Sequence, residues 1–538
     1  VVTAVLLGLA ACSGDADGDA ATIEAPIPEM SAPALLTRAS LDLRGIRPSI
    51  DEITAVEADP DAVDAQIEAF LHDPRFEERV VAWFADVYLT RSEAYPVDLS
   101  SVDGATAPAS LRAIGEEPLR LVARVAADDL PATEIVTADW TMANEALAAL
   151  YPLDYPAGET GWRVAHYTDG RPAAGVLATN GLWWRYTSTD SNANRKRANA
   201  ASRILLCHDY LNRPIEFDRN VNLLDTAALD DALASNPSCV NCHASLDPFA
   251  AYFFGFWWYG FSLGEMASYH PARERGWEDA LGTPPAYYGV PGASLADLGW
   301  QIAADNRFPE CLAQRVTEAL WQRDLTLADF DQLVVHRDAL IGSGMQLRAL
   351  IRAVLESPEY RAAAAANLPP EAVPLKRASP AQMASQVEAL TGYRWTWDGW
   401  DLLESDTVGF LTLAGGADGV YTTRTSHTAN VTLLLVQERL AEAAASYVVT
   451  ADRADPANAR LFRQIDFTET PTTDREAMVA QLQDLHLQLY GRRVDADGEE
   501  VAANFALWSD LHAVTGDPAA AWTGLLSALL RDPDFFLY

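Results

Sequence analysis

Basic residues are scarce in this 538-residue chain: 39 Lys and Arg stand against 76 Asp and Glu, a formal charge of −37 at pH 7. A surface of that sign repels phosphate backbones, so nucleic acid is excluded as a partner. The only cationic run, Arg195-Lys196-Arg197, is too short to reverse the balance. Long apolar runs are missing as well. The most apolar internal stretch, Ala250 to Phe261, is broken by Gly255 and Gly260 and falls short of the ~20 residues a spanning helix needs. Strand-like alternation is rare. No His-Glu-x-x-His and no phosphate loop occur, and the carboxylates are too abundant for any catalytic residue to be singled out, so hydrolase readings are set aside. Cysteine is limited to five residues, Cys12, Cys207, Cys239, Cys242 and Cys311.

What is present is enough apolar material, 49% of the chain, to bury real cores. Apolar residues at three- and four-residue spacing predict helices over Leu36–Arg44, Arg75–Leu89, Ser110–Ala127, Arg195–Leu211, Glu310–Trp321 and Ala429–Val448, among others. The fold class is therefore mainly α, a multi-domain helical protein. A weak internal repeat recurs three times. Its opening half puts a turn before acidic residues, as at Ser49–Glu52 and Thr326–Asp329. Its closing half is Asp73-Pro74-Arg75-Phe76, Ser357-Pro358-Glu359-Tyr360 and Asp532-Pro533-Asp534-Phe535. A polar cap followed by Pro at the first helical position suits packing modules better than sites.

The first twelve residues form a short apolar run closing on Leu9-Ala10-Ala11-Cys12. That ending looks like a bacterial lipoprotein signal, in which small residues fit the signal peptidase and the cysteine thiol takes a diacylglycerol. Residues 1–12 are expected to be the signal segment, cleaved before Cys12, with the true start a few residues earlier because no Met or basic stretch precedes them. Cys12 is the lipidation site, and residues 13–34, opening with Asp15, Asp17 and Asp19, form an acidic tether. A lipid chain tethers without spanning. The alternative is an incidental apolar end with a buried cysteine.

The chemically specific pattern is Cys239-Val240-Asn241-Cys242-His243, the Cys-x-x-Cys-His of covalent haem c attachment. Two thiols three residues apart can each add to a vinyl group of one porphyrin, and the adjacent imidazole then reaches the iron as proximal ligand. Attachment of this kind takes place outside the cytoplasm, the compartment the lipoprotein signal also demands. Candidates for the sixth ligand are Met266 and His270, with Met345 and His208 further off. The aromatic run from Tyr252 to Tyr259 reads either as haem-pocket wall or as ordinary core. A zinc site would need further paired ligands, a thioredoxin-like pair a strand–helix setting, and a plain disulfide between Cys239 and Cys242 is the remaining alternative. Cys207 and Cys311 are left over and are candidates to pair in an oxidising compartment.

Four stretches carry a family resemblance: Leu35–Pro48 with its closing Gly-x-x-Pro turn; Ile204–Cys207 with Cys239–His243 and Asp247-Pro248; Phe308–Cys311 with Leu350–Tyr360; and Ala378–Met383 with the final Phe535–Tyr538. In these the chain resembles the planctomycete-type cytochrome family, exported multi-domain proteins built from domains of unknown function and also common in myxobacteria. After Asp247-Pro248 the relatives usually continue with Gly and an acidic residue, whereas here Phe249-Ala250 follow. The resemblance implies haem and surface location but no substrate. The expected organisation is an N-terminal helical domain (35–130), a haem-c-bearing domain (131–300) with a cytochrome-c-like haem segment, a helical module (301–367), a linker (368–375) and a C-terminal helical domain (376–538). The expected function is that of a lipid-anchored mono-haem c-type cytochrome at the cell envelope, on the outer membrane or periplasmic face. It would have one covalent haem, an electron-transfer protein as partner and the membrane as anchor. The alternatives are a peroxidase-like oxidoreductase using the same haem, and a surface scaffold or binding protein whose Cys-x-x-Cys-His has no redox role.

Overall fold

The computed structural model describes residues 27–95, 99–101, 106–212, 222, 225–256, 269–363, 373 and 375–538. Cys12, the apolar run before it, most of the tether, Met266 and nearly all of the expected linker lie outside these residues. The described chain is mainly helical, and its three two-stranded sheets are small antiparallel hairpins. Among the described residues no helix is long and apolar enough to cross a membrane.

The helices that matter below are α1 (Ala32–Arg44), α2 (Arg75–Tyr88), α3 (Ala107–Ala127), α4 (Arg195–Leu206), α5 (Pro237–Ala250), α6 (Arg307–Trp321), α7 (Leu347–Leu355), α8 (Pro380–Thr391) and α9 (Val431–Ala454). One apolar core runs without interruption from Leu35 on α1 through Trp183, Phe253 and Leu320 to Tyr360 and Val373. Residues on both sides of 130 and of 300 share it. A second core, from Ala378 to Phe536, is centred on α9 and the helices that follow. A third, small cluster gathers Tyr95, Ile114, Tyr151 and Trp184.

Helix α1 is buried from Leu35 to Arg44 although it carries Arg38, Asp42 and Arg44. Charges removed from water must be matched in place, and each of these is. Arg38 donates to the carbonyls of Tyr360 (2.7 Å) and Val373 (2.6 Å). Asp42 accepts from Lys376 Nζ (2.6 Å), from the Tyr360 hydroxyl (2.7 Å) and from the hydroxyl of Tyr538, the last residue of the sequence (2.8 Å). Arg44 pairs with Glu52 (2.9 Å). The Asp42 cluster thus bolts the first core to the second.

The repeat is built as capping elements. Ser49 and Thr326 form reciprocal caps with Glu52 and Asp329, while Asp73, Ser357 and Asp532 accept backbone N–H groups two or three residues on. Helix α4 is shorter than its apolar pattern. It stops at Leu206 because Cys207 turns left-handed (φ 51°), which carries that cysteine to α6. The end of the expected tether is also not free: the Met30 N–H donates to the Arg361 carbonyl (2.9 Å), and the Ala363 N–H to that of Pro28 (2.7 Å).

Candidate functional site

Helix α5 opens with Asn236, whose side chain accepts from the Ser238 N–H, and with Pro237 at its first position, where a missing N–H costs nothing. The Cys-x-x-Cys-His pattern therefore occupies the first two turns of a capped helix. Spacing of three places Cys239 and Cys242 on one side of it. Both thiols are half-buried and unpaired, so they are not joined to one another. Cys242 also packs against the main core.

His243 follows on the same turn, with its side chain 24% exposed. Its Nδ1 lies 2.8 Å from Oδ1 of Asp247, one turn further on. With a carboxylate as acceptor, Nδ1 carries the proton and Nε2 keeps its lone pair for a ligand. Asp247 is gripped in turn by Arg195 at the start of α4, Nε to Oδ1 at 2.7 Å and the second guanidinium nitrogen to Oδ2 at 2.9 Å. Burial alone would raise the Asp247 carboxyl; the bonds from Arg195 and His243 outweigh it and hold the group below the usual carboxylate range. Sequence reasoning missed this carboxylate as a partner of the histidine. The signal was available, because a spacing of four on a helix puts two side chains face to face.

The wall beside the motif is polar and aromatic. Ser245 lies within 3.1 Å of the Tyr210 hydroxyl, and Tyr210 meets the His208 ring edge-on at 4.7 Å. His208 Nδ1 lies 3.2 Å from Ser202 Oγ and 3.4 Å from the Tyr288 hydroxyl. The described part of the aromatic run is core: Phe253 and Phe254 are fully buried, Phe253 packs on Trp183 with centroids 4.6 Å apart, and Phe256 lies against Tyr269. Of the sixth-ligand candidates, His270 precedes a short 3₁₀ turn and its backbone N–H donates to the Gly255 carbonyl (2.9 Å). Met266 lies outside the described residues. Met345, two residues before α7, takes a positive φ of 72° and its carbonyl accepts from the Ala132 N–H (2.7 Å).

Cys207 and Cys311 are joined in a disulfide across 104 residues, tying the end of α4 to α6. Among the described residues no three His, Cys, Asp or Glu side chains converge as a metal site. One hydrolase-type pattern does occur in the sequence, Gly260-Phe261-Ser262-Leu263-Gly264. It lies outside the described residues.

Residues 55–153 match a family model described as PSD4, protein of unknown function (DUF1592). The match covers α2, α3 and the first strand of the Thr141–Ala143/Arg163–Ala165 hairpin, and ends well before the Cys-x-x-Cys-His helix. No curated protein and no solved structure matches the chain.

Proposed function

We propose that this chain is an exported, lipid-anchored mono-haem c-type cytochrome of the planctomycete type, serving electron transfer or acting as the haem module of an envelope complex. The observation that carries the reading is the donor set on α5: two unpaired thiols three residues apart, then an imidazole whose Nδ1 is taken and whose Nε2 is therefore available. Haem c asks its cysteines for bonds to carbon, not to metal, so the three side chains need not converge on one point as zinc ligands would. When bound, the haem supplies one-electron chemistry. Cys239 and Cys242 fix the porphyrin to the helix, His243 is held in one tautomer and one orientation by Asp247, and Arg195 holds Asp247. The Cys207–Cys311 disulfide suits an oxidising compartment, the same one that lipidation at Cys12 would require.

A carboxylate behind the histidine also favours a second reading, a peroxidase-like oxidoreductase, since it raises the basicity of the axial ligand. The test is export in cells with haem maturation, followed by a pyridine haemochrome spectrum and intact mass. A thioether-linked, low-spin haem that ignores added ligands supports electron transfer. A high-spin haem that binds cyanide or peroxide supports the second reading. A colourless chain leaves a surface scaffold.

A further inference from the structure

A pocket of about 540 Å³ opens where the start of α3 meets residues of the second core's side. Contacts between the two sides ring it. Gly399, at the tip of the hairpin Thr396–Trp397/Trp400–Asp401, lies so near Pro108 that a Cβ added there would sit 3.4 Å from the proline ring. Arg112 pairs with Glu404. Glu93 accepts from the Asp406 N–H (3.1 Å) and the Thr407 hydroxyl (3.3 Å), and Arg91 reaches back to Glu116 on α3 (2.6 Å). Small-molecule sites favour cavities of this size at the seams between folded bodies.

The pocket wall offers polar groups of both kinds. Arg91 and Arg112 bring guanidinium donors whose charge is already matched by Glu116 and Glu404. Asp401 and Glu404 are held by Arg394. Glu93 and Asp398 bring carboxylates that meet no cation among the described residues, and burial raises the Glu93 carboxyl against its bonds from Ser405, Asp406 and Thr407. A cation only donates and would leave the guanidinium N–H groups unanswered; an anion only accepts and would face Glu93 and Asp398. A hydroxyl does both, so a ligand carrying several answers both sets. Between the polar groups lies apolar surface, the half-buried indole of Trp400 with Pro108 and Leu111. Trp397 stands directly opposite Trp400 in the hairpin register, hence on the same face, and is 55% exposed. One indole thus forms pocket wall and the next continues the aromatic surface beyond it.

We propose that this pocket binds a neutral oligosaccharide, one sugar ring lying on Trp400 with its hydroxyls shared between the Glu93 and Asp398 carboxylates and the Arg91 and Arg112 guanidinium groups, and the next ring reaching Trp397. The C–H face of a sugar suits an indole, which supplies a large apolar surface that a charged ligand cannot use in the same way. The site shares no residue with the α5 motif and does not depend on haem.

The test is titration of the full chain, followed by calorimetry and tryptophan fluorescence, with cellohexaose, maltohexaose and N-acetylchitohexaose, and with spermidine and inorganic phosphate as the cationic and anionic comparisons. At least one of the three oligosaccharides should bind saturably and shift the tryptophan emission, and neither spermidine nor phosphate should displace it. Trp400→Ala should weaken that oligosaccharide by about tenfold and Trp397→Ala by about threefold. Trp397 is exposed, so its variant carries the test if Trp400→Ala does not fold by circular dichroism. The proposal is overturned if none of the three oligosaccharides binds, if spermidine or phosphate displaces the one that does, if its affinity is unchanged in folded Trp400→Ala, or, where that variant does not fold, if it is unchanged in Trp397→Ala.

Discussion

His243 and Asp247 are one helical turn apart and joined at 2.8 Å between Nδ1 and Oδ1, and Arg195 pulls on the same carboxylate from a different helix. The two pulls oppose each other. A freer carboxylate draws the histidine proton toward itself and makes the imidazole a stronger donor; a carboxylate committed to arginine does so less.

The first prediction follows for the haem-loaded protein. Asp247→Asn should raise the midpoint potential, because a more neutral imidazole stabilises ferric iron less. Losing a charge-assisted hydrogen bond of ~1.5 kcal/mol corresponds to about 60 mV for a one-electron couple. Arg195→Gln should shift the potential the opposite way. Potentiometric titration of the two variants reads both signs, and equal shifts in one direction would rule out this relay.

The disulfide between Cys207 and Cys311 spans 104 residues. Closing a loop of that length in the unfolded chain stabilises the folded state by about 4.7 kcal/mol. The double variant Cys207→Ser/Cys311→Ser should therefore unfold at clearly lower urea concentration than the wild type, and dithiothreitol should bring the wild type down to the variant's midpoint.

Lys376 and Asp42 form an ion pair with side chains 0% and 3% exposed. Lys376→Met leaves Asp42 buried with only two tyrosine hydroxyls, and should destabilise the fold by about 3 kcal/mol or more. Adding Asp42→Asn should recover part of that loss, as expected for residues in one network. Thermal unfolding of the three proteins measures the coupling.

Glu116 on α3 is 1% exposed and pairs with Arg91 (2.6 Å), Arg112 (2.9 Å) and Arg120 (2.8 Å). Burial would raise its carboxyl, but Arg112, Arg91 and Arg120 hold it far below the ordinary 4.5. A depressed folded-state pKa means stability that is fully present above about 4.5 and lost as pH falls toward the folded value. Glu116→Gln should cost about 3 kcal/mol at pH 7 and make the acid limb of the stability–pH curve shallower. A limb unchanged in slope would assign acid unfolding to other groups.

Helix starts and repeat caps were legible in the sequence because they are local: Ser49 with Glu52, Thr326 with Asp329, and Ser357 before Pro358 each specify a cap within four residues. Helix ends were less so. Nothing in the apolar period of 195–211 announces that Cys207 turns left-handed to reach Cys311. The Asp42 cluster was invisible, since Tyr360, Lys376 and Tyr538 lie more than 300 residues along the chain from Asp42 and no local spacing links them to it. At the candidate site the Cys239–His243 pentapeptide could be read directly. Asp247 was readable only as half of a helical pair, and Arg195 looked like part of a basic surface run until the fold brought α4 against α5.

The measurement that bears most directly on the proposed haem attachment is the intact mass and pyridine haemochrome spectrum of the chain exported with haem maturation. The expected result is one haem mass beyond the polypeptide and lipid, with a thioether-type spectrum that disappears in Cys239→Ser/Cys242→Ser. A mass fully accounted for by amino acids and lipid, with both thiols free, joined or holding zinc, would contradict it.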